Sequence, residues 1–254
     1  MLRSEWAFEA ALGMENSGYL ALARQVALDR AIDVTANNLA NLRTSGYKAE
    51  KVMFEEYVQK GTSPATAPNQ MSSVVQLGTF TDYQPGSFEQ TGNALDFAIQ
   101  GEGFFPVQTD AGTRYTRDGS FQLDANGQLV THDGDPVTDA GGSPIQLPPG
   151  AKNIVVGGDG QVSVDGNVVG QIGVVKFDDP QSLVREGSGL YSSSAAPVPA
   201  ESAVVQGMIE GSNVQPVLEL TRMMQTLRDF QAAQQVVDSQ HEMSLDAINK
   251  IAKV

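Results

Sequence analysis

The sequence predicts an α+β protein, with a long helix at each end and a middle built from short strands. Three observations carry this. Residues 14–42 and 214–254 hold apolar side chains at spacings of three and four. Between them, Asp-Gly or Asn-Gly pairs recur at Asp118-Gly119, Asn126-Gly127, Asp133-Gly134, Asp159-Gly160 and Asp165-Gly166. Such pairs favour type I′ turns, whose twist matches a β-hairpin. The third observation is charge. The chain carries a formal −14, but residues 1–60 hold 7 Lys+Arg against 8 Asp+Glu and residues 211–254 hold 4 against 5. The acidity therefore belongs to the middle, with 5 against 17 over residues 61–210. Nearly neutral ends can pack closely against copies of themselves, while an acidic body keeps subunits soluble.

Taken in order, residues 1–13 read as an N-terminal extension or an alternative start. Residues 14–60 read as the first helix and an extended segment. Asn16 and Ser17 suit an N-cap. The helix stripe runs Leu20, Ala23, Ala27, Ala31, Val34, with Leu28, Ile32, Leu39 and Leu42 beside it, and Gly46 suits the C′ position. Residues 61–73 hold Gly61, Pro64 and Pro68 and read as a linker. Residues 74–191 form the expected all-β domain, and residues 192–211 a second linker. Residues 212–254 form the C-terminal helix, with Ser212 and Gln215 as a capping box, Pro216 in the first turn and Glu219 at the positive end of the helix dipole. Its stripe runs Met223, Leu227, Phe230, Gln234, Val237, His241, Ser244, Ile248, Ile251 in a 4-3 rhythm. A helix this long needs a partner beyond a small domain of its own, so the terminal helices are expected to pack as an inter-subunit, coiled-coil-like inner layer.

Several function classes are excluded. The acidic balance argues against nucleic acid, because nothing neutralises phosphates. The chain has no cysteine, which removes disulfides and thiolate metal sites. No apolar run approaches the roughly 20 residues of a transmembrane helix. The opening MLRSEWAFEAALG carries Glu5 and Glu9 and is too polar for a signal-peptide core. His132 in THDGDP pairs with Asp133 and Asp135, yet no nucleophile motif lies nearby. DANGQL (124–129) resembles half of a calcium loop, but Asp135 replaces the Glu required at the twelfth position, so a hairpin is the stronger reading. GEGFF (101–105) lacks the spacing of a phosphate loop. No catalytic residue, metal site or cofactor is expected.

Four stretches carry a resemblance. Residues 14–58 hold VTANNLANLRTSGYK, an asparagine-rich helix end followed by Gly46-Tyr47-Lys48. LDFAIQGEGFF (95–105) and RYTRDGSFQLDANGQLVTHDGDPV (114–137) follow, then GMIEGSNVQPVLELTRMM (207–224). In content and order these resemble the bacterial flagellar rod and hook proteins, most of all the rod members of proximal type, with the distal type second. The resemblance implies a structural subunit without enzymatic activity. It would be exported by the flagellar type III apparatus and would polymerise helically in the periplasm with copies of itself and other rod proteins. The polymer would form part of the drive shaft that carries torque from motor to hook. The alternative is a secreted β-rich enzyme or binding module with flanking helices. Residues expected at subunit interfaces are Leu20, Ala27, Ala31, Val34, Asn37, Asn38, Asn41, Gly46, Tyr47, Asn213, Met223, Leu227, Phe230, Val237, Ile248 and Ile251.

Overall fold

A computed structural model describes residues 2–59, 71–151 and 153–251, with side chains outside 2–20, 54–59, 71–77, 244, 247–248 and 250–251. Most of the expected linker 61–73 and the side chains of Leu20, Ile248 and Ile251 therefore lie outside the described residues. The fold is α+β: two terminal helices pack together, and the central region consists of many small antiparallel sheets. The chain divides into two compact units. One comprises residues 1–39, 50–80 and 216–254, and the other residues 40–49 and 81–215.

The first unit holds α1 (Leu2–Ala40), α2 (Pro216–Ile251) and a two-stranded sheet of β1 (Glu50–Gln59) and β2 (Met71–Thr81). Helix α1 begins at Leu2, well upstream of the expected caps at Asn16 and Ser17. The run LRSEWAFEAAL is rich in Ala, Leu and Glu, which favour the helix and let it continue through those positions. Helix α2 starts at Pro216, whose fixed φ and missing N–H suit the first helical position. The expected capping box does not form. The hydroxyl of Ser212 accepts from the Val214 N–H at 3.3 Å, two residues on, in a local turn ahead of the helix. Gln25 and Gln234 meet through their side-chain amides at 3.5 Å, linking the two helices.

The second unit is built on β3 (Phe88–Gln90), β4 (Phe97–Gln100), β5 (Phe105–Thr109), β6 (Gly112–Thr116), β7 (Gln122–Leu123) and β8 (Leu129–Val130). It continues with β9 (Ile154–Val156), β10 (Gln161–Val164), β11 (Asn167–Gln171), β12 (Val175–Lys176), β13 (Val184–Arg185) and β14 (Leu190–Ser192). The last strands are β15 (Val198–Pro199), β16 (Ala203–Gln206) and β17 (Met208–Glu210). They lie inside the segment expected as a linker. β16 pairs with β4, with Val204 opposite Ile99, and β17 pairs with β3, with Ile209 opposite Glu89. Sequence periodicity is a poor guide to strands three or four residues long, because alternation needs more positions to show.

The main core joins Phe97, Ile99, Phe105, Val107, Phe121, Leu129, Val137, Ile145 and Ile172 with the inward valines of β10 and β16. Each fully buried side chain of this size contributes about 1.5–3 kcal/mol. A second cluster is aromatic: Phe104, Tyr115, Phe177 and Tyr191, with the Tyr115 and Phe177 rings edge to face at 4.8 Å.

The turns differ in type from the expectation. Among the five Asp-Gly and Asn-Gly pairs, only Asp165-Gly166 has positive φ at both residues, 52° and 85°, as a type I′ turn requires. At Gly127, Gly134 and Gly160 only the glycine is left-handed. There the glycine N–H donates back three residues, to the carbonyls of Asp124, Thr131 and Gly157. These are three-residue loops, a tight turn followed by a left-handed glycine. In the first, Asp124 Oδ1 accepts from the N–H groups of Asn126 and Gln128 at 2.8 and 2.7 Å. Those donors, Gln128 foremost, hold its carboxyl below the usual range. DANGQL is thus the β7–β8 hairpin, and its aspartate is occupied by backbone donors.

Candidate functional site: the two terminal signatures

The segment after α1 and the segment before α2 meet in the second unit. The chain reverses at Gly46 (φ +67°), which places Tyr47, Lys48 and Ala49 in the interior. The Gly46 N–H donates to the Glu210 carbonyl at 2.7 Å. The Ala49 N–H donates to Asn213 Oδ1 at 2.8 Å, and Asn213 Nδ2 donates to the carbonyls of Asp82 and Gln84 at 2.8 and 3.0 Å. One asparagine side chain thereby ties together three backbone groups. The Arg185 guanidinium lies 4.3 Å from the Tyr47 ring centroid and donates to the Lys48 carbonyl.

At the centre is a buried charge cluster. Lys48 Nζ is 2.5 Å from Glu210 Oε1 and donates to the Gln84 carbonyl at 2.9 Å. Glu210 Oε1 also accepts from the Gly86 N–H at 3.0 Å. Glu210 Oε2 faces Arg117 Nε at 3.6 Å, and Arg117 Nη2 donates to the Gly101 carbonyl at 2.6 Å. The Lys48 and Glu210 side chains are 0% and 1% exposed, and that of Arg117 4%. One carboxylate thus serves two cations out of reach of water. Burial pulls the Lys48 ammonium below its usual pKa against the pull of Glu210, and it does the same to Arg117. Such a cluster adds little net stability while intact, but removing one partner is costly.

In the first unit, the asparagine-rich helix end has its own role. Asn38 is buried, and its Nδ2 donates to the Glu50 carbonyl at 2.8 Å while its Oδ1 accepts from the Glu50 N–H at 2.9 Å. Its amide imitates a strand partner and anchors the start of β1. It also reaches Glu219 Oε2 at 3.3 Å in the first turn of α2, where Arg222 Nη1 pairs with Oε1 at 2.6 Å.

The expected interface residues therefore divide. Gly46, Tyr47 and Asn213 come together in one cluster within the chain, and Asn38 is engaged within the chain by Glu50 and Glu219. Asn41 Oδ1 accepts from the Thr44 hydroxyl at 3.1 Å, and Asn37 is exposed. Ala27 is buried, Ala31, Val34, Met223, Phe230 and Val237 are half-buried, and Leu227 is 39% exposed. Spacing and motif did not point to Glu210, Arg117, Arg185 or Glu219 as site residues. A signal existed for one of them: Glu210 is a lone charge in the otherwise uncharged run GMIEGSNV.

His132 and Asp133 line a cleft with Asp118, Ser120, Asn41 and Thr44. Asp118 Oδ1 accepts from the Ser120 hydroxyl and N–H at 2.6 and 3.0 Å. The hydroxyl is thus committed to a carboxylate as a structural turn. Burial raises the Asp118 pKa, so the folded state holds this proton more tightly than the unfolded chain. The stability linked to it is complete below the unfolded pKa of about 3.9 and is lost as pH rises through the higher folded value. Asp118→Asn keeps the acceptor and removes the buried charge. Urea unfolding should show it no less stable than wild type at pH 7, with its relative advantage shrinking as pH falls towards 3. A large loss at pH 7 would show that the charge itself holds the turn.

Three family descriptions match the chain: the flagella basal body rod protein over residues 19–48, the flagellar hook protein FlgE/F/G D1 domain over 98–164, and the flagellar basal body rod FlgEFG protein C-terminal over 205–250. The first and last contain the two segments joined at Lys48 and Glu210. The flagellar basal-body rod protein FlgF of Caulobacter vibrioides is 38% identical over 95% of this chain and all of its own length. FlgF of Mesorhizobium japonicum is 40% identical over 86% of this chain and 90% of its own. The flagellar basal-body rod protein FlgG of Bacillus subtilis is 33% identical over 93% and 99%. The chain belongs to the flagellar basal-body rod protein family. It is a structural subunit of the rod, not an enzyme. No helix among the described residues is long and apolar enough to cross a membrane.

Proposed function

We propose that this chain is a rod subunit of the proximal type, and that α1 and α2 form the inter-subunit inner layer of a helical polymer in the periplasm. One observation carries the second part. Helix α2, 36 residues and about 54 Å long at ~1.5 Å per residue, leaves Val217, Leu218, Leu220, Met224, Leu227, Val236, Met243 and Leu245 exposed. Two turns of this row, Leu220, Met224 and Leu227, follow the 4-3 spacing of a helix-packing seam. At ~100° per residue Val217, Leu220, Met224, Leu227 and Leu245 share one side of the helix and Leu218, Val236 and Met243 lie on the other. Apolar surface exposed on both sides is costly in water and is relieved by neighbouring copies. The nearly neutral ends favour this packing, and the acidic residues 61–210 then belong to the outer body. The proximal assignment is supported by relatives named FlgF that match across nearly the whole chain. Passage through the flagellar type III apparatus, and contact with other rod proteins, follow from that role.

Leu227 tests the packing. Its exposure means that Leu227→Asp should change monomer stability by no more than about 0.5 kcal/mol, while the charge blocks stacking of α2 against a neighbour. The expected result is a folded, exported subunit absent from basal bodies, with motility lost. Intact rods and normal swimming would sink the proposal. The proximal assignment is tested separately, by imaging basal bodies of a strain lacking this chain. A rod interrupted nearest the motor is expected, and one interrupted next to the hook would place the chain distally.

A further inference from the structure

We propose that Glu210 acts as a latch: the Gly46–Ala49 segment docks onto the β-body only once residues 203–213 are in place. A chain that stops short of them would then leave its N-terminal signature undocked. This concerns the order in which the fold closes and does not depend on where the subunit sits in the rod.

Charge and sequence distance carry the proposal. Docking Tyr47–Ala49 carries the Lys48 ammonium into a site with no solvent exposure, beside the buried Arg117 guanidinium. Among the described residues, Glu210 is the only carboxylate in ion-pair contact with either cation. Asp82 acts on Lys48 and Glu102 on Arg117 only from beyond ion-pair distance. Without Glu210 the docked state would therefore bury two like charges with no ion-pair partner, an arrangement that proteins avoid by staying open. Lys48 and Glu210 are 162 residues apart. The backbone agrees with the charges. Gly46 donates to the Glu210 carbonyl, and Ala49 donates to Asn213, so both amides depend on the same late segment. The strands that bring Glu210 into position also pair with edges laid down much earlier, since β16 supplies the partner of β4 and β17 that of β3. In a chain made from its N-terminus, the carboxylate for Lys48 arrives after most of the body. The late carboxylate therefore reports that the body is complete.

The Asp82 amide is the discriminating probe. It donates to the Ala49 carbonyl at 2.8 Å, and neither residue lies in the late segment. A purely local contact would form early. Full-length protein is refolded from urea and pulse-labelled by hydrogen exchange. The Asp82 and Ala49 amides are expected to gain protection in the same kinetic phase as those of β17, and after the β5–β6 hairpin. Protection of Asp82 and Ala49 ahead of β17 overturns the proposal. At equilibrium, full-length Glu210→Gln should exchange at least about tenfold faster at Asp82 and Ala49 while the β5–β6 hairpin keeps its protection. Adding Lys48→Met, which removes the cation that demands the carboxylate, should recover part of that loss. Unchanged exchange in Glu210→Gln, or no recovery in the double variant, also overturns the proposal. Should Glu210→Gln lose the hairpin as well, the wild-type refolding order decides.

Discussion

Gly46→Ala is expected to be among the most damaging single-methyl additions in this chain. A Cβ at that position would lie 2.4 Å from both the Arg117 carbonyl carbon and the Asp118 nitrogen, and 2.7 Å from the Arg117 oxygen. These are backbone atoms of a buried segment and cannot swing aside. The left-handed φ of +67° adds its own penalty for any residue with a Cβ. Strain and overpacking together should cost about 2–5 kcal/mol, read from urea unfolding. Gly158→Ala is the control. Its φ is not positive and nothing lies within 4 Å of the added carbon, so its effect should stay within about 0.5 kcal/mol. Comparable losses in the two variants would mean that the close approach of Gly46 to Arg117 does not constrain the fold.

The second large effect is expected at Glu210. Glu210→Gln preserves shape and can still accept from Gly86, but it leaves Lys48 and Arg117 buried without an anion in ion-pair contact. The cost should be about 3–5 kcal/mol, the usual range when one partner of a buried pair is lost. Lys48→Met should cost distinctly less. It removes one hydrogen bond to the Gln84 carbonyl, yet the remaining Glu210–Arg117 pair stays neutral overall. The asymmetry matters more than either value. Equal losses from the two variants would show that the cluster acts by packing and not by charge balance. The same asymmetry separates a counter-ion from a mere space-filler, because Gln and Glu have nearly the same volume.

Much of the architecture was legible in the sequence. Three- and four-residue spacing over 214–254 announced a helix, and Pro216 with Glu219 marked its start. Loop residues announced hairpins between 118 and 166. The turn types were less legible. An Asp-Gly pair is compatible with a two-residue or a three-residue loop, and the difference depends on which cross-strand register the core accepts. At Asn126-Gly127 that register is set by Leu129 and Phe121 entering the main core. The segment 203–210 was unreadable for a related reason. Its residues become strands only because β3 and β4, more than a hundred residues earlier, offer edges to pair with.

The family signatures are visible in the residues alone, as is their bias towards assembly. Their physical work is not. The motif asparagines, Gly46 and Tyr47 read as material for contacts between subunits, and Lys48 had no role assigned. The structure engages Asn38 with Glu50 and Glu219, and Lys48 with Glu210, inside one chain. By itself, then, the sequence determined the two helices, the β-rich middle, the acidity of that middle and the rod family. Those properties are local or compositional, and they need no knowledge of what lies opposite. Only the tertiary structure decided that one late carboxylate lies between two cations, from residues 48 and 117. A charge pair across 162 residues leaves no periodicity, because desolvation and Coulomb attraction act between neighbours in space, whatever their distance along the chain.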